Sequence, residues 1–95
     1  MITAVVTVRA IPGKGPQLEA DFVKYAAWVK ANEPGTILYT LNKSRTEPDT
    51  YHAVEIYEDD AAMATHLANF NARTDGPAEP LTEGEMEFIL LDRVG

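Results

Sequence analysis

The sequence predicts an α+β domain with its elements in the order strand, helix, strand, strand, helix, strand. Four segments rich in Val, Ile, Thr, Tyr and other apolar residues alternate between faces with the period of two that is typical of strands. Two further segments repeat apolar residues at the three-and-four spacing of an amphipathic helix. The 95 residues suffice for one domain, which we expect to span residues 1–95, and leave no room for a second core.

The first half of the chain contains a strand, a helix and a second strand. The first strand runs from Ile2 to Ile11 and stops at the Pro- and Gly-rich segment 12–16. The helix runs from Gln17 to about Ala31, and Pro34 ends it because the residue before a proline avoids the helical region. The second strand runs from Thr36 to Ser44.

The second half begins with the partner strand of an antiparallel hairpin, from Thr50 to Glu58. Asp59 or Asp60 then caps a second helix by accepting a hydrogen bond from a free backbone N–H. The last strand runs from Glu85 to Val94. With right-handed crossovers, this order predicts the ferredoxin-like βαββαβ fold, a four-stranded antiparallel sheet with both helices on one face.

Alternation along the third strand divides its side chains into two sets. The set that we expect to face the core consists of His52, Val54 and Ile56. The set that carries two phenols and a carboxylate consists of Tyr51, Ala53, Glu55 and Tyr57. Such a polar aromatic face is unusual on a plain solvent surface, so it is a candidate functional face.

The sheet face away from the helices is predicted to be apolar as well. Val5, Leu38 and either Ile89 or Leu91 fall on that face by alternation. Exposing it would forfeit about 25 cal/mol for each Å² of apolar surface, and such patches usually mark an interface. We therefore expect a two-fold homodimer with sheet facing sheet, enclosing a cavity; the alternative is a monomer with a few exposed apolar residues.

Composition excludes several classes of partner. A formal net charge of −7 argues against nucleic acid and against an anionic membrane surface, both of which attract clustered Lys and Arg. The absence of cysteine rules out disulfides and thiolate ligands. Because the N-terminus lacks the features of a signal peptide and no apolar run is long enough to span a membrane, we expect a cytoplasmic protein.

Several kinds of active site have no support in the sequence. The two histidines and the scattered carboxylates show no metal-ligand spacing, so we expect no metal. The segment 13–16 is too short, and contains a proline, to cradle a dinucleotide phosphate. Ser44 is the only serine and has no histidine at a motif spacing, so a hydrolase triad is not indicated. We expect no cofactor.

Motifs along the chain resemble a known family. In chain order, these are Glu33 to Tyr39 (EPGTILY), Glu55 to Asp59 (EIYED), Ala61, Ala62, His66, Leu67, Phe70, Pro80 and Leu81. Their order and spacing resemble the antibiotic biosynthesis monooxygenase domain, a family that includes proposed quinol monooxygenases, and the resemblance covers nearly the whole chain. It implies a dimeric α/β barrel with one small-molecule pocket per subunit, between the sheet and the helices.

The resemblance also implies, for the enzymatic members, oxygenation of phenolic or quinol substrates by dioxygen without metal or bound flavin. Other relatives are isomerases, haem degraders or proteins of no known activity. Haem-degrading relatives carry an Asn where this chain has Thr7 and a Trp where it has Tyr57. Their haem-ligating His falls near Ala72 or Arg73, and neither can serve. These differences argue against haem degradation.

Three residues are the candidates for catalysis. A base is needed to deprotonate a hydroquinone or phenol so that its anion can reduce dioxygen, and the imidazole of His66 suits that role near neutral pH. Glu55 would orient the imidazole or bind a hydroxyl, unless it pairs with Arg9 or Arg93 across the sheet. Tyr57 would donate a hydrogen bond to a substrate oxygen or stack on its ring.

The predicted substrate-binding residues are Thr7, Trp28, Leu38, Asn42, Tyr51 and Phe70. Trp28 is open to a second interpretation as an aromatic at the edge of the core, and Tyr51 as an interface aromatic. The alternative interpretation of His66 is a helix-flank histidine bonded to backbone or water, and we interpret His52 as structural.

The preferred hypothesis is a small dimeric, cofactor-independent monooxygenase acting on a quinol or phenolic aromatic compound. A non-catalytic ligand-binding or assembly module on the same barrel is the first alternative. A proton-shuttling isomerase is the second, because a His and Glu pair can move protons without oxygen.

Overall fold

The computed structural model describes all of residues 1–95 and has six elements. In chain order these are β1 Ile2–Ala10, α1 Gly15–Asn32, β2 Thr36–Lys43, β3 Thr50–Tyr57, α2 Asp60–Asn71 and β4 Thr82–Asp92. The four strands form one antiparallel sheet in the order β2-β3-β1-β4. The predicted ferredoxin-like α+β fold is confirmed. The last strand begins three residues earlier than predicted, at Thr82 rather than Glu85.

The core lies between the sheet and the helices. The side chains that β1 sends into it are small or branched, namely Ala4, Val6, Val8 and Ala10. Leu18, Phe22 and Leu41 pack from α1 and β2 against a cluster that includes Val6, Val8 and Ala10. Because these β1 side chains are short, larger groups from β3 and α1 fit above them.

The predicted orientation of β3 is wrong. Its buried set is Tyr51, Ala53, Glu55 and Tyr57, whereas His52, Val54 and Ile56 are half-buried on the opposite side of the sheet. Residues paired across an antiparallel ladder share a face, and β3 pairs with β1 in the register Ala4–Glu55 and Val6–Ala53. The phenols and the carboxylate therefore face the helices. Tyrosine buries a large aromatic ring readily when its hydroxyl has a partner.

Helix α2 begins as predicted but packs differently. Asp59 caps it, since its Oδ1 accepts a hydrogen bond from the backbone N–H of Ala62 at 2.8 Å. The helical spacing of Met63, Leu67 and Phe70 is typical of a buried apolar stripe, but Leu67 is 46% and Phe70 is 43% exposed. The buried residue of α2 is His66, at 3% exposure. A polar side chain thus occupies the position where the helix meets the sheet.

The open face, which is the side of the sheet away from the helices, is apolar as predicted. Val5 pairs with Val54 on one side and with Ile89 on the other, and Leu38 pairs with Ile56. Ile89 is 53% exposed in the single chain. No helix in the chain is both long and apolar enough to cross a membrane.

Gly35 allows α2 to approach the start of β2. A Cβ atom added at Gly35 would lie 2.6 Å from the Cβ of Ala62. We therefore expect Gly35→Ala to destabilise the fold by roughly 1–3 kcal/mol, because the helix must shift to relieve the overlap. Urea unfolding measures the change. Gly76→Ala is the matched control, since a Cβ there meets nothing within 4 Å. Equal stability of the two variants would contradict this packing.

Candidate functional site

A cavity of about 550 Å³ opens between the sheet and the helices. Its walls are mainly apolar, with Val6 from β1, Phe22 from α1, Leu67 and Phe70 from α2, and Phe88 from β4. Leu67 and Phe70 are half exposed because they border this cavity rather than the packed core. A concave apolar site with a few polar groups is the usual form of a small-molecule pocket.

The main polar group in the cavity wall is His66, which pairs with the buried Glu33. His66 Nδ1 lies 2.8 Å from Glu33 Oε1, and both side chains are almost completely buried. The same carboxylate accepts hydrogen bonds from Thr36 Oγ1 at 2.9 Å and from Asn69 Nδ2 at 3.1 Å. A carboxylate that already accepts hydrogen bonds from Thr36 and Asn69 can only accept from a third partner. The Nδ1 atom of His66 therefore donates to Glu33, and Nε2 is left as the acceptor of the ring.

Local chain geometry brings this pair together. Glu33 follows the last turn of α1, where Pro34 prevents the helix from continuing. Its carbonyl accepts a hydrogen bond from the backbone N–H of Thr36 at 3.1 Å, which closes a tight turn between Glu33 and the start of β2. Gly35 lets α2 come close enough for His66 to reach the carboxylate.

Glu55 and Tyr57 of β3 lie on the other side of the imidazole. Glu55 Oε1 is 3.7 Å from His66 Nε2, and the hydroxyl of Tyr57 donates to the same carboxylate oxygen. Arg9 instead pairs with Glu87 at 3.9 Å, and Arg93 donates to the carbonyl of Gly95, so the alternative pairing of Glu55 with an arginine does not occur.

Three tyrosines with raised pKa values surround the imidazole. Burial, together with the charge of Glu55, raises the pKa of Tyr39 well above its ordinary range. Burial and the hydrogen bond to Glu55 do the same to the pKa of Tyr57, and burial and the charge of Glu33 raise the pKa of Tyr25. The ring of Tyr39 lies 4.8 Å from that of His66, and the hydroxyl of Tyr25 is buried without a partner within the protein.

An ion-pair network forms one wall of the cavity mouth. The two terminal nitrogens of Arg73 donate to the two carboxylate oxygens of Asp21 at 2.9 and 2.6 Å, and its Nε donates to Asp75 at 3.0 Å. These carboxylates raise the pKa of Arg73, and Arg73 and Lys24 lower the pKa of Asp75. The guanidinium also lies 4.4 Å from the centre of the Tyr25 ring, which fixes that ring in place.

Three of the residues predicted to bind substrate do not line the cavity. Thr7, Leu38 and Asn42 lie on the open face, as their ladder partners His52 and Ile56 do. Thr7 Oγ1 is 3.0 Å from His52 Nδ1, and Asn42 donates to the carbonyl of His52 at 3.1 Å. Strand alternation directs these side chains away from the helices, so we do not include them in the candidate site.

The other predicted residues divide between the cavity and its surroundings. Glu55, His66 and Phe70 line it, and Tyr57 reaches it through Glu55. Trp28 does not line it but stacks on Tyr25 with ring centres 5.6 Å apart.

Tyr51 belongs to the core instead. Its hydroxyl donates to Glu19 at 2.6 Å, which raises the pKa of Tyr51 to about 12.

Sequence reasoning missed Glu33, Tyr25 and Tyr39 as site residues. Glu33 and Tyr39 both lie in the segment that carries the family resemblance, but nothing in their sequence positions indicates that they contact His66. Tyr25 is one of the buried residues of α1, and its unpaired hydroxyl is visible only in three dimensions. No group of three or more acidic or histidine side chains is arranged to hold a metal ion.

Together, fold and site define a small α+β protein with an apolar ligand cavity and a buried carboxylate–imidazole pair. The chain belongs to the antibiotic biosynthesis monooxygenase family, whose model matches residues 1–73. A comparison with curated proteins found no match.

Solved structures extend the similarity over the whole chain. A candidate antibiotic biosynthesis monooxygenase from Caulobacter crescentus CB15 is 33% identical with a TM-score of 0.83, covering 99% of this chain and 90% of that one. The haem degrader MhuD of Mycobacterium tuberculosis, solved with two haems in its active site, is 23% identical with a TM-score of 0.80, covering 99% and 96%. A further candidate monooxygenase, from Deinococcus radiodurans, is 18% identical with a TM-score of 0.75, covering 100% and 94%. The last two show the shared fold.

Proposed function

We propose that this protein is a cofactor-independent monooxygenase that acts on a phenolic or quinol aromatic compound. The observation that carries the proposal is His66, which lines an apolar cavity and is held at Nδ1 by the buried Glu33. Membership of the monooxygenase family supports the reaction class. The cavity suits an aromatic ring, and the imidazole supplies the one base that such chemistry needs.

In the proposed reaction, a hydroxyl of the substrate gives its proton to Nε2 of His66. The imidazolium that forms is stabilised by Glu33, which already holds Nδ1 at 2.8 Å. The substrate anion transfers one electron to dioxygen, and the two radicals combine to form a C–O bond. The proton then returns from His66 to the peroxide, whose O–O bond breaks with loss of water, so that RH₂ and O₂ give R=O and H₂O without an external reductant.

The apolar walls support this chemistry in two ways. They keep bulk water from the anion, which strengthens the attraction between the anion and the imidazolium. The phenols of Tyr39 and Tyr57 lie beside the imidazole. Both phenols stay neutral, because burial raises the pKa of each. We propose Tyr39 as a donor to the substrate oxygen and Tyr57 as the residue that positions Glu55.

An isomerase is the second candidate function. Glu55 lies 3.7 Å from His66 Nε2, so two proton acceptors face the same part of the cavity. Such a pair can remove a proton from one carbon and return it to another without oxygen. A binding module that uses the same cavity without turnover is the third candidate.

Substitution of the proposed base tests the reaction. We expect His66→Ala to lower oxygen uptake with menadiol by roughly 10²–10⁴-fold, the usual contribution of a general base. Glu33→Gln should lower it as well, because the glutamine amide no longer stabilises the imidazolium. An oxygen electrode measures both rates, and Glu47→Gln in the exposed hairpin loop is the matched control.

Oxygen dependence separates the candidate functions. Uptake that survives His66→Ala would remove His66 from the mechanism. Turnover without oxygen would favour the isomerase, and binding of menadiol without any turnover would favour the binding module.

We further propose that the protein is a homodimer that buries the open face. Val5, Val54 and Ile89 form a continuous apolar row across three strands of that face. A second copy placed sheet to sheet would remove this surface from water, at about 25 cal/mol for each Å². The cavity lies on the other side of the sheet, so the dimer would support the sheet that carries Glu55 and Tyr57.

Sedimentation equilibrium tests the dimer. We expect wild-type protein to sediment as a dimer at micromolar concentration, and Ile89→Lys to sediment as a monomer because it places a charge in the buried row. Val23→Lys is the control, since Val23 is exposed on α1 and away from the open face. A monomeric wild-type protein would overturn the proposal, as would dimerisation that Ile89→Lys leaves intact.

A further inference from the structure

The charged groups that line the cavity are unevenly matched. Carboxylates are contributed by Asp21, Glu55 and Glu79, and cations only by His66 and Arg73. His66 lies between Glu33 and Glu55, so any charge that it gains is already matched. Arg73 is therefore the one permanently charged cation in the cavity wall that would attract an anionic ligand.

Arg73 is already fully engaged. Its fork of terminal nitrogens matches the carboxylate of Asp21 in the bidentate geometry that arginine–carboxylate pairs favour, and its Nε is taken by Asp75. The guanidinium side chain is only 10% exposed and lies against the Tyr25 ring. An incoming anion would have to displace Asp21, and the displaced carboxylate would be left partly buried.

The cations near the mouth are engaged as well. Lys24 lies 3.3 Å from a carboxylate oxygen of Asp75, and Lys14 lies 3.9 Å from Glu79. A ligand that brings its own carboxylate would thus meet more anions than free cations, and the net charge of −7 adds a long-range repulsion. Burying an anion without a partner is costly, whereas a neutral hydroxyl needs only a hydrogen bond.

We propose that the Asp21–Arg73 pair makes this cavity selective for uncharged hydroxyaromatic ligands and that Asp21 is the residue that determines this selectivity. The proposal rests on the proposed function in that it takes the cavity as the ligand site. Asp21 occupies both terminal nitrogens of Arg73, so this cation is not available to bind a carboxylate of the ligand. A ligand such as haem, which carries two carboxylates, is a poor match for this mouth.

A matched pair of probes tests the selectivity at neutral pH. The probes are 2-naphthol, which is uncharged, and 6-hydroxy-2-naphthoic acid, which adds one carboxylate to the same ring system. We expect the wild-type protein to bind 2-naphthol at least about tenfold more tightly by isothermal titration calorimetry. In Asp21→Asn, we expect the carboxylate to bind more tightly and the ratio to fall several-fold, because Arg73 is released.

Two further variants exclude a merely structural effect. Arg73→Gln removes the cation, so this variant should bind 6-hydroxy-2-naphthoic acid no more tightly than wild type does. If loss of the ion pair only disordered the cavity, Arg73→Gln and Asp21→Asn would change the binding of this probe in the same way. Asp75→Asn should have a smaller effect than Asp21→Asn, because Asp75 makes only one hydrogen bond to Arg73, from an exposed position.

Several outcomes would overturn the proposal. These are equal binding of the two probes by wild type, an unchanged ratio in Asp21→Asn, and absence of binding by either probe. A different result would overturn the proposed monooxygenase reaction. If both probes show the expected ratio but menadiol causes no oxygen uptake, the selectivity stands and the reaction does not.

Discussion

The contact between Glu33 and His66 is the interaction on which the rest of the site depends. It joins the turn after α1 to the middle of α2, two parts of the chain separated by 33 residues. Few apolar groups hold α2 against the sheet, since its Leu67 and Phe70 border the cavity instead. A buried, charge-assisted hydrogen bond therefore does part of the work that apolar packing usually does, and its loss would leave a buried carboxylate without its main partner.

This arrangement links stability and chemistry in one place. A helix docked by an apolar stripe would fill the space between α2 and the sheet, whereas a helix docked by polar contacts of His66 and Asn69 with Glu33 leaves room for a cavity of about 550 Å³. The same contact sets the proton on Nδ1 of His66 and turns Nε2 toward Glu55. The sheet contributes through β3, whose alternate side chains place Glu55 and Tyr57 beside the imidazole.

Most of the fold was predictable from local patterns. The order of elements, the break at Pro34 and the cap at Asp59 each depend on a few neighbouring residues, and all are present in the structure. The facing of β3 was not predictable in the same way, because both of its faces carry apolar groups and a shift of one residue exchanges them. Thr7 and Asn42, which were predicted to bind substrate, lie on the open face, and both form hydrogen bonds with His52.

The site was predictable only in part, since its key contacts are long-range. His66 stood out because histidine suits proton transfer, but its partner Glu33 is distant in sequence and looks like an ordinary residue at a helix end. The pairing of Arg73 with Asp21 spans 52 residues and follows from packing of the loop after α2 against α1. Such contacts depend on how the elements approach one another, which a close contact such as Gly35 with Ala62 controls.

The protonation of the His66 ring tests the central claim most directly. Nitrogen-15 NMR of protein labelled in histidine distinguishes a protonated ring nitrogen from a bare one at neutral pH. The account predicts that His66 is the tautomer with its proton on Nδ1, held by Glu33, and that Glu33→Gln disturbs this state. A neutral ring with its proton on Nε2, unchanged by Glu33→Gln, would contradict the assignment of His66 as the base that faces the cavity.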